Sequence, residues 1–236
     1  MSRAPVNLPD MRFVLASASP ARLAVLRGAG IEPSVVVSEI DEHAVTNNLP
    51  DATPEELVTA LARSKAQAVR DTLTSPYDDT LIVGCDSMLS FAGEAVGKPH
   101  TVDVAKRRWK AMAGNSGELL TGHVVLHLQG EHQVAAAADC HTTTVRFGTP
   151  TEEELDAYLD TGEPLHVAGG FTLEGFGGWF IDGIDGDPSS VTGISLPLTR
   201  RLLSRLDVCV TDLWQTDRKA DETEPRRFTD TPPGGE

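Results

Sequence analysis

Two short apolar runs, Arg12–Ala16 (RFVLA) and Thr80–Gly84 (TLIVG), constrain this chain most. Each reads as a buried strand and runs straight into polar residues, Ser17-Ala18-Ser19-Pro20 after the first and Cys85-Asp86-Ser87 after the second. Ser19 is an N-cap with Pro20 at the first helical position, and Gly28 and Gly30 close the helix that follows. Thr53-Pro54-Glu55-Glu56 opens a second helix, with an apolar stripe through Leu57, Leu61 and Val69 that ends near Thr72. Strands alternating with capped helices define an α/β fold.

The remaining elements fill in around this frame. Pro33–Ser38 reads as a strand running into the acidic segment Glu39–Glu42. Turns fall at Phe91–Glu94 and at Gly97-Lys98-Pro99, followed by a helix over Thr101–Ala113. Leu119–Leu128 and Val134–Phe147 form a long hairpin around Gly130-Glu131, so the sheet is expected to be mixed. A helix opens at Thr151, and Gly169–Gly178 holds five glycines, which calls for unusual dihedrals or a close approach. Trp179–Ile184 reads as a strand and Leu196–Leu206 as the last helix. The domain is expected to span residues 1–214; residues 215–236 are polar, rich in Pro and Gly, and read as a disordered tail.

Composition removes several function classes. A formal net charge of -15 argues against non-specific binding to a nucleic-acid backbone, yet leaves room for a small anion in a local basic cluster. The three cysteines, Cys85, Cys140 and Cys209, form no metal or disulfide pattern, which fits a reducing compartment. No stretch approaches the ~20 apolar residues of a membrane span, and no secretion signal opens the chain. The expectation is a cytoplasmic protein without membrane or nucleic-acid partners.

Three segments can carry chemistry. Ser17–Arg22 opens a helix, where unpaired backbone donors and the dipole favour an anion, and Arg22 offers a two-pronged phosphate contact. Asp86 follows a strand, where ligands of α/β sheets bind, and a carboxylate there can hold a divalent metal or take a proton from water. Lys98 is fixed between Gly97 and Pro99. Read singly, each has a plainer role: Ser19 only caps, Arg22 and Lys98 are solvated charges, and Asp86 caps a turn. Lys65, in LARSKAQA, is by itself an ordinary helix lysine. No P-loop, dinucleotide fingerprint, HExxH or GxSxG motif occurs, and the seven histidines show no ligand spacing.

Taken in order, LASASPAR (15–22), SEIDE (38–42), LARSKA (61–66), VGCDSM (83–88), GEAVGKP (93–99), EPLHVAGGFTLEG (163–175) and IDGDPSSVTGISLPL (184–198) resemble the Maf family of nucleotide pyrophosphatases. The resemblance runs from about Met11 to Leu206. It implies a two-lobed mixed-sheet α/β fold with a central cleft, similar to inosine-triphosphate pyrophosphatase. It also implies hydrolysis of nucleoside triphosphates to the monophosphate and pyrophosphate. By the same resemblance Asp86 matches the proton acceptor, and Ser17, Arg22, Lys65 and Lys98 match the phosphate pocket. Glu42 matches a carboxylate for metal or water, with Mg²⁺ or Mn²⁺ held by Asp86, Glu42 and the substrate phosphates.

Departures bear on specificity. Ala21 stands where the family's first motif often has arginine, and Ser87 where one branch has threonine. Glu174 replaces that branch's glutamine and is similar to the branch acting on 7-methyl-GTP; a carboxylate accepts hydrogen bonds from a guanine edge, whereas an amide suits a pyrimidine. The GISLP segment is longer than the commoner GLP. The base is left open, as is a homodimer. The family link to division arrest supplies the alternative of a non-catalytic nucleotide-binding regulator of cell division, and the biological role implied by the resemblance is nucleotide-pool cleansing.

Overall fold

The computed structural model describes residues 11–73 and 79–215. Among these residues a seven-stranded mixed sheet has the order β2-β1-β3-β5-β6-β7, with β4 added alongside β3. The strands are β1 (Arg12–Leu15), β2 (Ser34–Val35), β3 (Thr80–Phe91), β4 (Glu94–Val96), β5 (Ser116–Gln129), β6 (His132–Phe147) and β7 (Ile181–Asp185). β1 runs parallel to β2 and β3, and the other pairings are antiparallel. The helices are α1 (Pro20–Gly28), α2 (Glu42–Asn47), α3 (Pro54–Thr72), α4 (Val102–Met112), α5 (Glu152–Asp160), α6 (Pro188–Val191) and α7 (Leu196–Arg205), joined by short 3₁₀ turns.

The caps read from the sequence are in place. Ser19 accepts the Arg22 N–H, and Thr53 and Thr151 each form a reciprocal capping box, with Glu56 and Glu154. Strand alternation then divides the apolar side chains between two faces. Phe13, Leu15, Leu81, Val83 and Cys85 join Leu26 of α1 and Leu198, Leu202 and Leu203 of α7. Val14, Ile82, Val124 and Leu126 meet Ala62, Ala66 and Val69 of α3 on the opposite face. Further along β3, β5 and β6, Leu89, Leu119, Val145 and Phe147 pack with Trp109 of α4 and Tyr158 of α5 into a separate core. The Trp109 ring stands edge-on to Phe147 and Tyr158, at 5.7 Å from each, and its indole N–H donates to the Gly170 carbonyl at 2.7 Å.

The two clusters on opposite faces make up one lobe and the separate core makes up the other, both strung on the same three long strands. Between them lies a polar interval, where Asp86 pairs with Gly122 and Ser87 with Thr121 across β3 and β5. α3 crosses the start of this interval at very short range. A Cβ on Gly84 would lie 2.3 Å from the Ala62 carbonyl oxygen, and one on Gly122 would lie 2.5 Å from the Val58 backbone. Only hydrogen at both positions lets the helix lie this low, and that height sets how far a side chain of α3 must reach to β3.

Four local readings need correction. Asp86 is not at a strand end: continuous pairing with β5 carries β3 from Thr80 through Phe91. It does lie past the end of β1, whose last partner on β3 is Val83. β2 covers only Ser34–Val35, because this edge strand has β1 as its single partner and leaves Val35 and Val37 exposed. The acidic segment continues into α2, which Asp41 caps by accepting the Ala44 N–H at 2.9 Å. β7 begins at Ile181 rather than Trp179. The Glu163 carboxylate takes the Phe176 and Gly177 N–H groups, at 3.0 and 2.9 Å, and holds Phe176–Phe180 as a 3₁₀ turn. Gln215 donates its N–H to the Gly30 carbonyl, and residues 216–236, where most of the expected tail falls, lie outside the described residues.

Gly84→Ala or Gly122→Ala is expected to lower stability by roughly 1–3 kcal/mol, as an overpacked interior does. Urea unfolding of each variant beside the parent chain checks this, and an unchanged midpoint would mean that α3 can lift off the sheet without cost.

Candidate active site

The even-numbered side chains of β3 face α3, so Asp86 points toward the same helix as Ile82 and Gly84. Lys65, four residues beyond Leu61 on α3, reaches down to it. Its Nζ lies 2.5 Å from Asp86 Oδ1 and 2.7 Å from Glu42 Oε1. One ammonium thus joins a carboxylate of the sheet to a carboxylate at the start of α2. The Lys65 and Asp86 side chains are each 12% exposed, whereas Glu42 is about half exposed, so the group is open on the Glu42 side.

Environment separates the two acids. Burial pushes the Asp86 carboxyl above the usual aspartate range, and the nearby Lys65 and Arg22 charges only partly offset it. Burial also opposes ionisation of Glu42, but there the bond to Lys65 and the charges of Lys98 and Arg22 prevail and hold the carboxyl below its usual range. Lys98 therefore acts on the same cluster from the other lobe. Its loop is pinned on both sides: Arg108 donates to the Gly97 carbonyl at 2.6 Å, Pro99 is buried, and the His100 N–H bonds to Leu165. Lys98 itself is exposed.

Arg22, on the first turn of α1, is held by three contacts. Its Nε donates to the Gly193 carbonyl at 2.8 Å, Nη1 to the Ser17 hydroxyl at 3.1 Å and Nη2 to the Ser87 hydroxyl at 3.2 Å. The Ser17 oxygen also accepts the Ser19 N–H, at 3.1 Å. Having accepted twice, the buried Ser17 hydroxyl keeps its own proton for a further acceptor. Glu174 is exposed and its Oε2 lies 3.4 Å from the Thr192 hydroxyl, beside Gly193, which places it at the Arg22 end of the site. Ala21 precedes Arg22 on the same turn, half-buried.

The structure thus brings Ser17, Arg22, Lys65, Asp86, Glu42 and Ser87 together, with Lys98 within electrostatic reach. Thr121 and Gly193, which hold Ser87 and Arg22, were not singled out in the sequence. Neither residue type signals a role by itself, and both partnerships join segments more than thirty residues apart. Among the described residues no group of three or more His, Cys, Asp or Glu could enclose a metal. The donors that exist are the two carboxylates, each with one oxygen on Lys65. That set suits a hard divalent cation completed by phosphate oxygens and water, and does not suit a closed protein cage.

The model of the Maf-like protein family matches residues 12–206. The chain belongs to this family. A nucleoside triphosphate pyrophosphatase of Saccharopolyspora erythraea is 64% identical over 205 residues, covering 86% of this chain and 97% of that protein. Proteins of the same name from Nocardia farcinica and Rhodococcus erythropolis are 59% and 55% identical, over 204 and 207 residues. Those matches cover 86% and 87% of this chain and 96% and 97% of the relatives. The Maf-like match contains every candidate residue from Ser17 to Glu174. No helix among the described residues is long and apolar enough to cross a membrane.

The opposite perturbations of the two acids are directly measurable. In carbon-detected NMR titration of the protein without ligands, Asp86 should take up its proton above the ordinary aspartate range and Glu42 below the ordinary glutamate range. Lys65→Met should move both upward, because it removes the charge that stabilises each carboxylate. A Glu42 titration that stays put in that variant would detach it from Lys65.

Proposed function

We propose that this chain is a nucleoside triphosphate pyrophosphatase, releasing a nucleoside monophosphate and pyrophosphate by water attack on the α–β phosphoanhydride. The observation that carries this reading is the cluster of Asp86 and Glu42 on one lysine, with the Arg22 and Lys98 charges acting on it. Pyrophosphatase relatives that align over nearly their whole length support it.

Each residue then has a task that follows from its surroundings. Arg22, Lys65 and Lys98 offset the charge of the polyphosphate, and the Ser17 hydroxyl donates its remaining proton to a phosphate oxygen. Arg22 is held by its contacts to Ser17, Ser87 and Gly193, so little ordering remains to be done at binding. Lys65 fixes Asp86 through Oδ1, which leaves Oδ2 to accept the proton of the attacking water. Burial raises the proton affinity of Asp86 and makes it a stronger base than an exposed aspartate, while the Lys65 and Arg22 charges favour its ionised form. Asp86 and Glu42 would hold Mg²⁺ or Mn²⁺ together with phosphate oxygens, and the bound ion would supply neutralisation of charge on the phosphoryl oxygens. Glu174, exposed at the Arg22 end, is placed to meet the part of the substrate beyond the phosphates and to bear on the choice of base. Clearance of unwanted nucleotides from the cytoplasmic pool is the role that fits this chemistry.

Asp86→Asn should retain the fold and lower turnover by about 100- to 10,000-fold, the usual contribution of a positioned base. Phosphate release in a coupled assay over a panel of ordinary and methylated triphosphates measures this. Chelation with EDTA should abolish the activity and excess Mg²⁺ or Mn²⁺ restore it. Full turnover by Asp86→Asn would remove this residue from the mechanism, and nucleotide binding without any pyrophosphate release would favour a regulator over an enzyme.

A further inference from the structure

Behind Arg22 lies a buried polar layer that the chemistry above does not use. Thr121 and His123 are neighbours on the same face of β5, and both are fully buried. The Thr121 hydroxyl donates its single proton to the Ser190 carbonyl at 3.0 Å. Its 3.0 Å contact with Ser87 must therefore be donated by Ser87, whose oxygen in turn accepts from Arg22 Nη2. The direction of the whole relay is fixed: Arg22 to Ser87, Ser87 to Thr121, Thr121 to the Ser190 carbonyl.

His123 holds the other end of the same loop. Its Nδ1 lies 2.9 Å from the Thr121 carbonyl, which can only accept, so Nδ1 carries the proton. Its Nε2 is then free to accept the Ser195 N–H at 2.8 Å. Burial pushes the His123 pKa down to about 4, so the ring stays in this neutral form under ordinary conditions. Loop residues 190–195 are thereby gripped at Ser190 by Thr121 and at Ser195 by His123. The Gly193 carbonyl, midway between the grips, receives Arg22 Nε. Gly193 has φ +109°, and a Cβ there would come within 2.9 Å of that nitrogen, so glycine is needed for the seat itself.

We propose that Thr121 and His123 are positioning residues, forming a clamp on the 190–195 loop that fixes the direction of the Arg22 guanidinium toward the polyphosphate. Thr121 acts on Arg22 twice, through Ser87 and through the loop. His123 acts once, through the loop. The inference rests on the pyrophosphatase reading for its substrate but concerns residues outside the reacting groups.

A double-mutant cycle tests it. Thr121→Val keeps the shape and deletes both hydroxyl bonds, whereas Thr121→Ser keeps the hydroxyl. With Arg22 present, the valine variant should lower kcat/KM by about 10- to 100-fold, as expected when a group at a reacting centre is misplaced. The serine variant should restore most of the loss. In an Arg22→Ala background, Thr121→Val should have no further effect. A loss of the same size in that background, or no loss when Arg22 is present, overturns the clamp. If Thr121→Val does not fold, Ser87→Ala cuts the same relay at a half-buried position and is read in the same cycle. The dissociation constant of inorganic tripolyphosphate, taken by calorimetry, is the second readout. A parent chain that binds tripolyphosphate but releases no pyrophosphate from any nucleotide would defeat the pyrophosphatase reading and leave the cycle to be decided on binding. A parent chain that neither binds tripolyphosphate nor releases pyrophosphate from any nucleotide would defeat both.

Discussion

Asp86 and Glu42 lie close enough to bond to one ammonium group, and burial opposes the charge on each. Without Lys65 between them, two acids would meet in a partly desolvated space, and the proton affinity of both would rise. The ammonium can stand there only because α3 lies low on the sheet, and α3 lies low only because Gly84 and Gly122 have no side chain. The chemistry of the site thus depends on a packing distance between backbones.

The same geometry explains why Asp86 belongs in the middle of a strand. A carboxylate on a loop would need several contacts to order it. On β3 the backbone is fixed by β5 through the whole interval, while β1 stops opposite Val83 and β4 joins only from Leu89, which leaves the stretch of edge between them open to the Ser17–Arg22 segment. Asp86 and Ser87 then project from opposite faces of one strand. One meets Lys65 and the other meets Arg22. Two consecutive residues of β3 therefore address two cationic groups that reach the sheet from different helices.

The frame of the fold was legible because its signals are local. Ser19, Thr53 and Thr151 cap helices by bonds within three residues, and the strand runs Phe13–Ala16 and Leu81–Val83 are apolar without interruption. What escaped were features set by distant partners. β3 reads as ending near Gly84, since Asp86, Ser87 and Ser90 break its apolar run; only pairing with β5 extends it. α2 has little apolar content and depends on the Asp41 cap. Arg22, Lys65, Asp86 and Glu42 each have a plain reading alone, and their grouping was inferred from the Maf resemblance, because no spacing in one chain says that residues 22 and 86 share a pocket. Thr121, His123 and Gly193 left no signal, since their role exists only where β5 passes behind the 190–195 loop.

The three cationic groups differ in the freedom left to them. Lys65 is committed to two carboxylates and is nearly buried, so its charge cannot move far to follow a ligand. Lys98 is exposed on a pinned loop of the other lobe, and its four-carbon stem can still turn. Arg22 is between these extremes, charged and partly exposed but fastened at three nitrogens. A polyphosphate entering between the lobes would find two of its counter-charges already oriented and only one that must settle. Most of the ordering entropy is then spent in folding, on bonds made by Gly193, Ser17, Ser87 and Asp86, and little remains to be lost at binding. This division also fits the lobes: the fixed charges belong to the lobe that holds Asp86, and the adjustable one comes from the lobe across the interval.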